Sequence, residues 1–218
     1  KHEVIYRGHS DSLLLLFAGW GMDSHPFREI DGHGYDLMLL YDYTDGTAID
    51  ERLLDGYSEV CVLAWSYGVA VASHFISAHS DDKRLTHTVA VNGTAWPVDN
   101  RRGINRRVFS GTLEAMSEPT VEAFYANMCA SDEELQRFMS VRPQRDVESL
   151  RRELEIFAAW EPTEDARWDT AYVSAADRII PAANQMRGWA KCADVRHLPG
   201  GHLPDFQSII DNSFIDKS

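Results

Sequence analysis

The chain is predicted to be an α/β protein with a mainly parallel sheet and an inserted helical cap. Three observations carry that expectation. Short apolar runs recur along the chain, helix-like stretches or loops separate them, and several runs consist almost wholly of Val, Leu, Ile and Ala. Runs of that kind suit strands covered by helices on both faces. At 218 residues and 44% hydrophobic content the chain can bury one good core and is short for two, so residues 1–218 are expected to form a single domain.

Taken in order, the strands are expected over 2–6, 13–17, 36–41, 59–65, 88–92, 171–175 and 195–198, about seven in all. Only residues 7–12 join the first two, too few for a helical crossover, so an antiparallel hairpin is expected there and parallel pairing elsewhere. Helices are expected over 67–78, 118–128, 132–139, 146–160, 182–191 and 204–212. One start is well marked. Ser131 can cap the helix that follows, and Asp132-Glu133-Glu134 place acids where the helix dipole is positive. The interval from about 95 to 167 carries three of these helices and no convincing strand, so it reads as a cap inserted after the fifth strand. No repeat, Pro- or Ser-rich linker or low-complexity tract marks a further boundary.

Charge and cysteine content exclude several functions. A net charge of −13 argues against general nucleic-acid binding, because phosphate contacts need clustered cations. No apolar stretch approaches the roughly 20 residues that span a bilayer, and the opening Lys1-His2-Glu3-Val4 does not resemble a secretory signal. No membrane partner and a cytoplasmic location are therefore expected. Cys61, Cys129 and Cys192 are odd in number and lack the spacing of a zinc site or disulfide framework, so buried thiols and no metal are expected. One basic cluster breaks the acidic pattern. Arg101, Arg102, Arg106 and Arg107 lie within seven residues, either a solvated loop or a docking patch for an acidic partner or phosphate.

The chemistry is read from Val62-Leu63-Ala64-Trp65-Ser66-Tyr67-Gly68-Val69-Ala70, where a strand-like run meets a helix-like one with a serine between them. This is a nucleophile elbow, which lifts a serine above a sheet and needs small neighbours, here Ala64 and Gly68. A serine hydroxyl is a poor nucleophile at neutral pH. It needs a histidine to take its proton and a carboxylate to orient that histidine. In α/β-hydrolases these follow in the order serine, acid, histidine. Asp177 stands at the end of the sixth expected strand, before Pro181. His202 follows the seventh, after the flexible turn Pro199-Gly200-Gly201, and the two are 25 positions apart.

Singly, an aspartate after a strand is more often a helix cap, and most of the nine histidines must be surface or core residues. Together the three occupy the strand ends that the fold demands, which assigns Ser66, Asp177 and His202 as a triad. His197 is assigned to packing, His25 to structure, and Asp42 and Asp45 are reserve acids. An acyl-transfer site also needs oxyanion donors, each worth on the order of 10²–10³ in rate. The backbone amides of Tyr67 and of Trp20, within Phe17-Ala18-Gly19-Trp20-Gly21-Met22-Asp23, are the candidates. A Gly-Trp-Gly turn can also be a tight loop under an indole.

That glycine turn with Pro26-Phe27, the elbow, and Val91-Asn92-Gly93-Thr94-Ala95-Trp96-Pro97-Val98-Asp99 followed by Gly103-Ile104 together resemble the BioG family. These are pimeloyl-acyl carrier protein methyl ester esterases of bacterial biotin synthesis. The likeness covers most of the chain, including Phe109 to Thr112 and Phe124-Tyr125 to Met128-Cys129, and its Asn-Gly-Thr-x-x-Pro element is more specific than the elbow. It departs little from the family: the elbow opens on alanine, and Tyr67 stands where methionine or glutamine is common in related hydrolases.

The resemblance implies an α/β-hydrolase fold and a serine carboxylesterase, with Ser66, Asp177 and His202 catalytic and Trp20 and Tyr67 at the oxyanion hole. It also implies an acyl carrier protein as partner; the triad chemistry requires no cofactor, and a monomer is expected. Within it, Arg101, Arg102, Arg106 and Arg107 become candidates for docking an acidic carrier and its phosphate. The rival readings are an esterase or thioesterase of another acyl group and a non-catalytic binder of an acidic partner.

Overall fold

Seven strands form one sheet in the order β1-β3-β2-β4-β5-β6-β7 in the structure, a computed structural model that describes residues 1–46, 49–190 and 194–215. They are β1 (His2–Tyr6), β2 (Ser12–Phe17), β3 (Asp36–Leu40), β4 (Glu59–Trp65), β5 (Leu85–Val91), β6 (Thr170–Ser174) and β7 (Asp194–Leu198). Every pairing from β3 to β7 across the sheet is parallel. β1 is the exception. It runs antiparallel to β3, with His2 opposite Leu40 and Val4 opposite Met38.

The expected β1–β2 hairpin is therefore absent. Leu13 to Phe17 of β2 are all fully buried, which requires neighbours on both edges as well as cover on both faces, and β3 and β4 supply those edges. β1 carries exposed His2 and partly exposed neighbours, a composition suited to an outer position. The short connection constrained only how far β1 could travel, and stepping over one intervening strand was within reach.

The helices are α1 (Tyr67–Ala78), α2 (Arg106–Glu114), α3 (Glu118–Met128), α4 (Asp132–Ser140), α5 (Val147–Ala158), α6 (Ala182–Gly188) and α7 (Phe206–Ile210), which runs on into a π-helical turn, Asp211–Ile215. Four helices rather than three lie between β5 and β6, and α2 is the addition. Arg106 and Arg107 are its first two residues, so the basic cluster is half loop and half helix. The expected Ser131 cap is present, accepting from the Glu134 amide at 3.2 Å.

Cys61 and Cys129 are buried, while Cys192 and the Lys191 end of the fifth expected helix, 182–191, lie outside the described residues. His197 is exposed on β7 rather than packed, because β7 is the last strand of the sheet and leaves one edge uncovered. Among the described residues no helix is long and apolar enough to cross a membrane. Because β2 and β4 to β7 run parallel, the loops that follow them gather at one edge of the sheet, where such folds place their ligands.

Candidate active site

Ser66 joins β4 to α1 with φ 57° and ψ −126°, a backbone region that costs a non-glycine residue on the order of 1–3 kcal/mol. Its surroundings hold it there. The Ser66 amide donates to the Val91 carbonyl at 3.0 Å, and the Ser66 carbonyl accepts from the Val69 amide at 3.1 Å. A Cβ on Gly68 would lie 2.3 Å from the Phe17 carbonyl oxygen, so the small residue read from the elbow is required by close packing. Gly93 has a similar constraint that the elbow alone does not reveal: a Cβ there would lie 2.2 Å from the Ser66 carbonyl oxygen.

The three residues expected to act together do meet. His202 Nε2 lies 2.8 Å from Ser66 Oγ, and His202 Nδ1 lies 2.8 Å from Asp177 Oδ2. The His202 and Asp177 side chains are fully buried. Asp177 Oδ1 accepts from the Ile179 and Ile180 amides at 2.8 and 2.9 Å, which turns Oδ2 toward the imidazole. A carboxylate can only accept, so it holds the imidazole proton on Nδ1 and leaves Nε2 to accept from the serine.

Two supporting residues were not identified from the sequence. Gln185 of α6, fully buried, donates from Nε2 to Asp177 Oδ2 and to the Ile180 carbonyl, both at 2.8 Å. No pattern marked it, since a glutamine on a short helix reads as a surface residue. Asn92, at φ 47°, donates to the His202 carbonyl at 2.9 Å and to Ser174 Oγ at 2.8 Å, and accepts from the Ser174 amide at 2.8 Å. The Trp65 indole donates to the same His202 carbonyl at 2.8 Å. The loop that bears His202 is thereby tied to the ends of β4, β5 and β6. The Asn-Gly-Thr element contained the signal for Asn92, as a residue type tolerant of positive φ.

Above Ser66 opens a cavity of about 220 Å³. Trp20 and Tyr67 line it beside the serine, while Val108, Phe109, Phe124 and Leu154 from α2, α3 and α5 make apolar walls. The Gly19-Trp20 turn lies against the serine, for a Cβ on Gly19 would sit 3.0 Å from Ser66 Cβ. The Trp20 indole donates to the Leu150 carbonyl at 2.9 Å and meets Phe124 edge-on at 4.8 Å. Tyr67 packs against Phe157 with the rings tilted at 43° and 4.5 Å apart, and burial raises its phenol pKa, so it stays neutral. As the first residue of α1, Tyr67 has an amide with no acceptor inside the helix.

The reserve residues are engaged elsewhere. Asp42 pairs with Lys1 and with Arg145 at 2.8 Å, Asp45 is exposed, and His25 pairs with Asp23 at 3.1 Å. Arg102 lies over Trp96 at 3.9 Å and reaches Glu164 at 3.3 Å, whereas Arg101, Arg106 and Arg107 are exposed. Ile104 and Val108, on either side of Arg106 and Arg107, line the cavity. Among the described residues no group of three or more His, Cys, Asp or Glu side chains could hold a metal ion.

A parallel sheet with β1 reversed at its edge, a serine elbow and helices over the strand ends define an α/β-hydrolase. Solved structures agree on that fold: an esterase from Exiguobacterium antarcticum superposes with a TM-score of 0.72 at 13% identity, over 97% of this chain and 92% of that one.

More particularly, the chain belongs to the BioG family. Residues 2–210 match the family model described as pimeloyl-ACP methyl esterase BioG. The BioG structure from Haemophilus influenzae superposes with a TM-score of 0.83 at 30% identity, over 93% of each chain. A Bacteroides fragilis protein named malonyl-[acyl-carrier protein] O-methyltransferase is 37% identical over 196 residues. That match takes in 88% of this chain and 39% of the relative, so the chain spans about two fifths of that protein's length.

Proposed function

We propose that the chain hydrolyses the methyl ester of a pimeloyl thioester on its acyl carrier protein, through a Ser66-His202-Asp177 acyl-enzyme mechanism. The observation that carries this reading is the pair of 2.8 Å contacts from Asp177 to His202 to Ser66 at the floor of an apolar cavity, in a chain of this family. Ser66 Oγ attacks the ester carbonyl while His202 Nε2 takes its proton. The amides of Trp20 and Tyr67 receive the oxyanion. Methanol leaves on a proton returned by His202, and a water activated by the same nitrogen releases the carboxylate and restores the serine.

The cavity walls favour a neutral acyl chain. Each buried methylene contributes about 0.8 kcal/mol, so a chain of five contributes roughly 4 kcal/mol. Hydrolysis then creates a carboxylate beside Ser66, in a cavity whose largely apolar lining also includes Asn127 and Arg178. Arg106 and Arg107, exposed beside Val108, suit an acidic carrier whose prosthetic arm enters the cavity, with Arg101 and Arg102 extending the same basic surface.

Labelling with a fluorophosphonate followed by peptide mapping tests the chemistry. Modification at Ser66 is expected, and a folded, unreactive protein would favour a binding role instead. Comparing methyl pimeloyl-carrier with dimethyl pimelate tests the substrate. A kcat/KM for the carrier ester no greater than for the free diester would point to a general carboxylesterase.

A further inference from the structure

We propose that Glu153 is a positioning residue that fixes the Gly19-Trp20-Gly21 turn for oxyanion binding, a role that rests on the oxyanion function assigned above to the Trp20 amide. Glu153 lies on α5 in line with Leu150, Leu154 and Phe157, and its side chain is fully buried. Its Oε2 accepts from the Gly21 amide at 3.1 Å and its Oε1 from the Tyr43 amide at 3.1 Å. Arg145 pairs with Oε2 and bridges to Asp42 Oδ1 at 2.8 Å and Ser149 Oγ at 2.7 Å. The Glu153 carboxyl pKa is raised by burial, against the opposing pull of Arg145 and the two amides.

The need for such an anchor follows from the turn's composition. Two glycines flank Trp20, and glycine has more backbone freedom to lose than any other residue. Left alone, the Gly19–Trp20 peptide unit would sample orientations that carry its amide away from Ser66. The units on either side of it are fixed. On one side the Ala18 amide donates to the Leu40 carbonyl at 2.8 Å, and the Ala18 carbonyl accepts from the Tyr43 hydroxyl at 2.9 Å. On the other, Glu153 holds the Gly21 amide, and the Leu150 carbonyl holds the Trp20 indole.

Glu153 and Leu150 both belong to α5, and Glu153 also grips the Tyr43 turn that supports Ala18. One helix of the segment between β5 and β6 therefore sets the orientation of a peptide unit beside the nucleophile. A charged group is suited to this task because a single carboxylate accepts from two turns and a guanidinium at once, which no neutral side chain can do.

The test is Glu153→Gln, which keeps the shape but has only one acceptor oxygen for the Gly21 and Tyr43 amides. With p-nitrophenyl butyrate, and with rates normalised by active-site titration, kcat is expected to fall about 10- to 100-fold, because a small misplacement of a catalytic group has that scale of effect. KM should stay within about twofold, since ground-state binding does not use the oxyanion donors. Affinity for an aryl trifluoromethyl ketone, whose adduct with Ser66 carries an oxyanion, should weaken in parallel with kcat.

A purely structural role would lower the melting temperature and the active fraction without moving kcat per active site. If the single variant does not fold, Arg145→Met/Glu153→Gln removes the buried counter-charge as well and should show the same loss. A folded variant of either kind with unchanged kcat and ketone affinity overturns the proposal. Ser66→Ala, assayed alongside, separates the two levels: if it too stays active, the serine mechanism beneath the proposal fails instead.

Discussion

At the floor of the site Ser66, Asp177 and His202 are at most 8% exposed, and Asp177 alone accepts from two backbone amides, an imidazole and Gln185. At the mouth Val108 is 61% exposed, and Arg106 and Arg107 project from the first turn of α2 into solvent. The difference separates two physical demands. Groups that handle charge developing in a transition state gain from being desolvated and fixed before the reaction starts. Groups that meet a large charged partner gain from staying hydrated and long-ranged until the encounter.

The sharpest way to break this contrast is to empty the floor. Ser66→Ala is expected to lower kcat by on the order of 10⁶, the scale for losing the nucleophile of a triad that acts as a unit; single-turnover kinetics on the carrier ester would measure it. Next comes Asp177→Asn, which frees the imidazole to take the wrong tautomer, with an expected loss of about 10⁴ in kcat and little change in KM.

At the mouth the effects should be smaller and of another kind. Arg106→Ser/Arg107→Ser is expected to lower kcat/KM for the carrier ester by about tenfold at low salt, with the deficit shrinking as ionic strength rises. Activity toward p-nitrophenyl butyrate should be unchanged, and a loss on both substrates would place the arginines in the chemistry. Smallest is Ser131→Ala at the α4 start, away from both regions. It should cost about 1 kcal/mol in stability, seen as a lower melting temperature, and leave kcat per folded molecule intact.

Two helix starts show what was legible in the sequence. Ser131 followed by Asp132, Glu133 and Glu134 satisfies both the cap and the dipole, so α4 was expected where it lies. α2 begins with Asn105 as its cap but then places Arg106 and Arg107 at the positive end of the dipole, and carries Gly111 inside. Local rules argue against a helix there, and packing of Phe109 into the core prevails.

The meeting of Ser66, Asp177 and His202 was legible because each ends an apolar run in an order that few other folds demand. Gln185 and Glu153 were not, because nothing local distinguishes a buried polar residue on a helix from a solvated one. Their partners are remote or unmarked: Glu153 reaches Gly21 across 132 positions and Tyr43 across 110. The β1 pairing was hidden for a related reason. Which edge a strand takes depends on the burial of β2, a property of the whole sheet rather than of the connection.

The contact between Ser66 and His202 spans 136 positions of the chain, and the strand that delivers His202 lies at the outer edge of the sheet, three places from β4. Among the described residues, the base against the serine is His202. On the proposed mechanism, hydrolysis therefore requires β7 in place and the His202 carbonyl held by the Trp65 and Asn92 side chains. During refolding, the return of activity would report that β4 and β7 have both taken their places in one sheet, making turnover a clock for long-range assembly rather than for formation of the elbow.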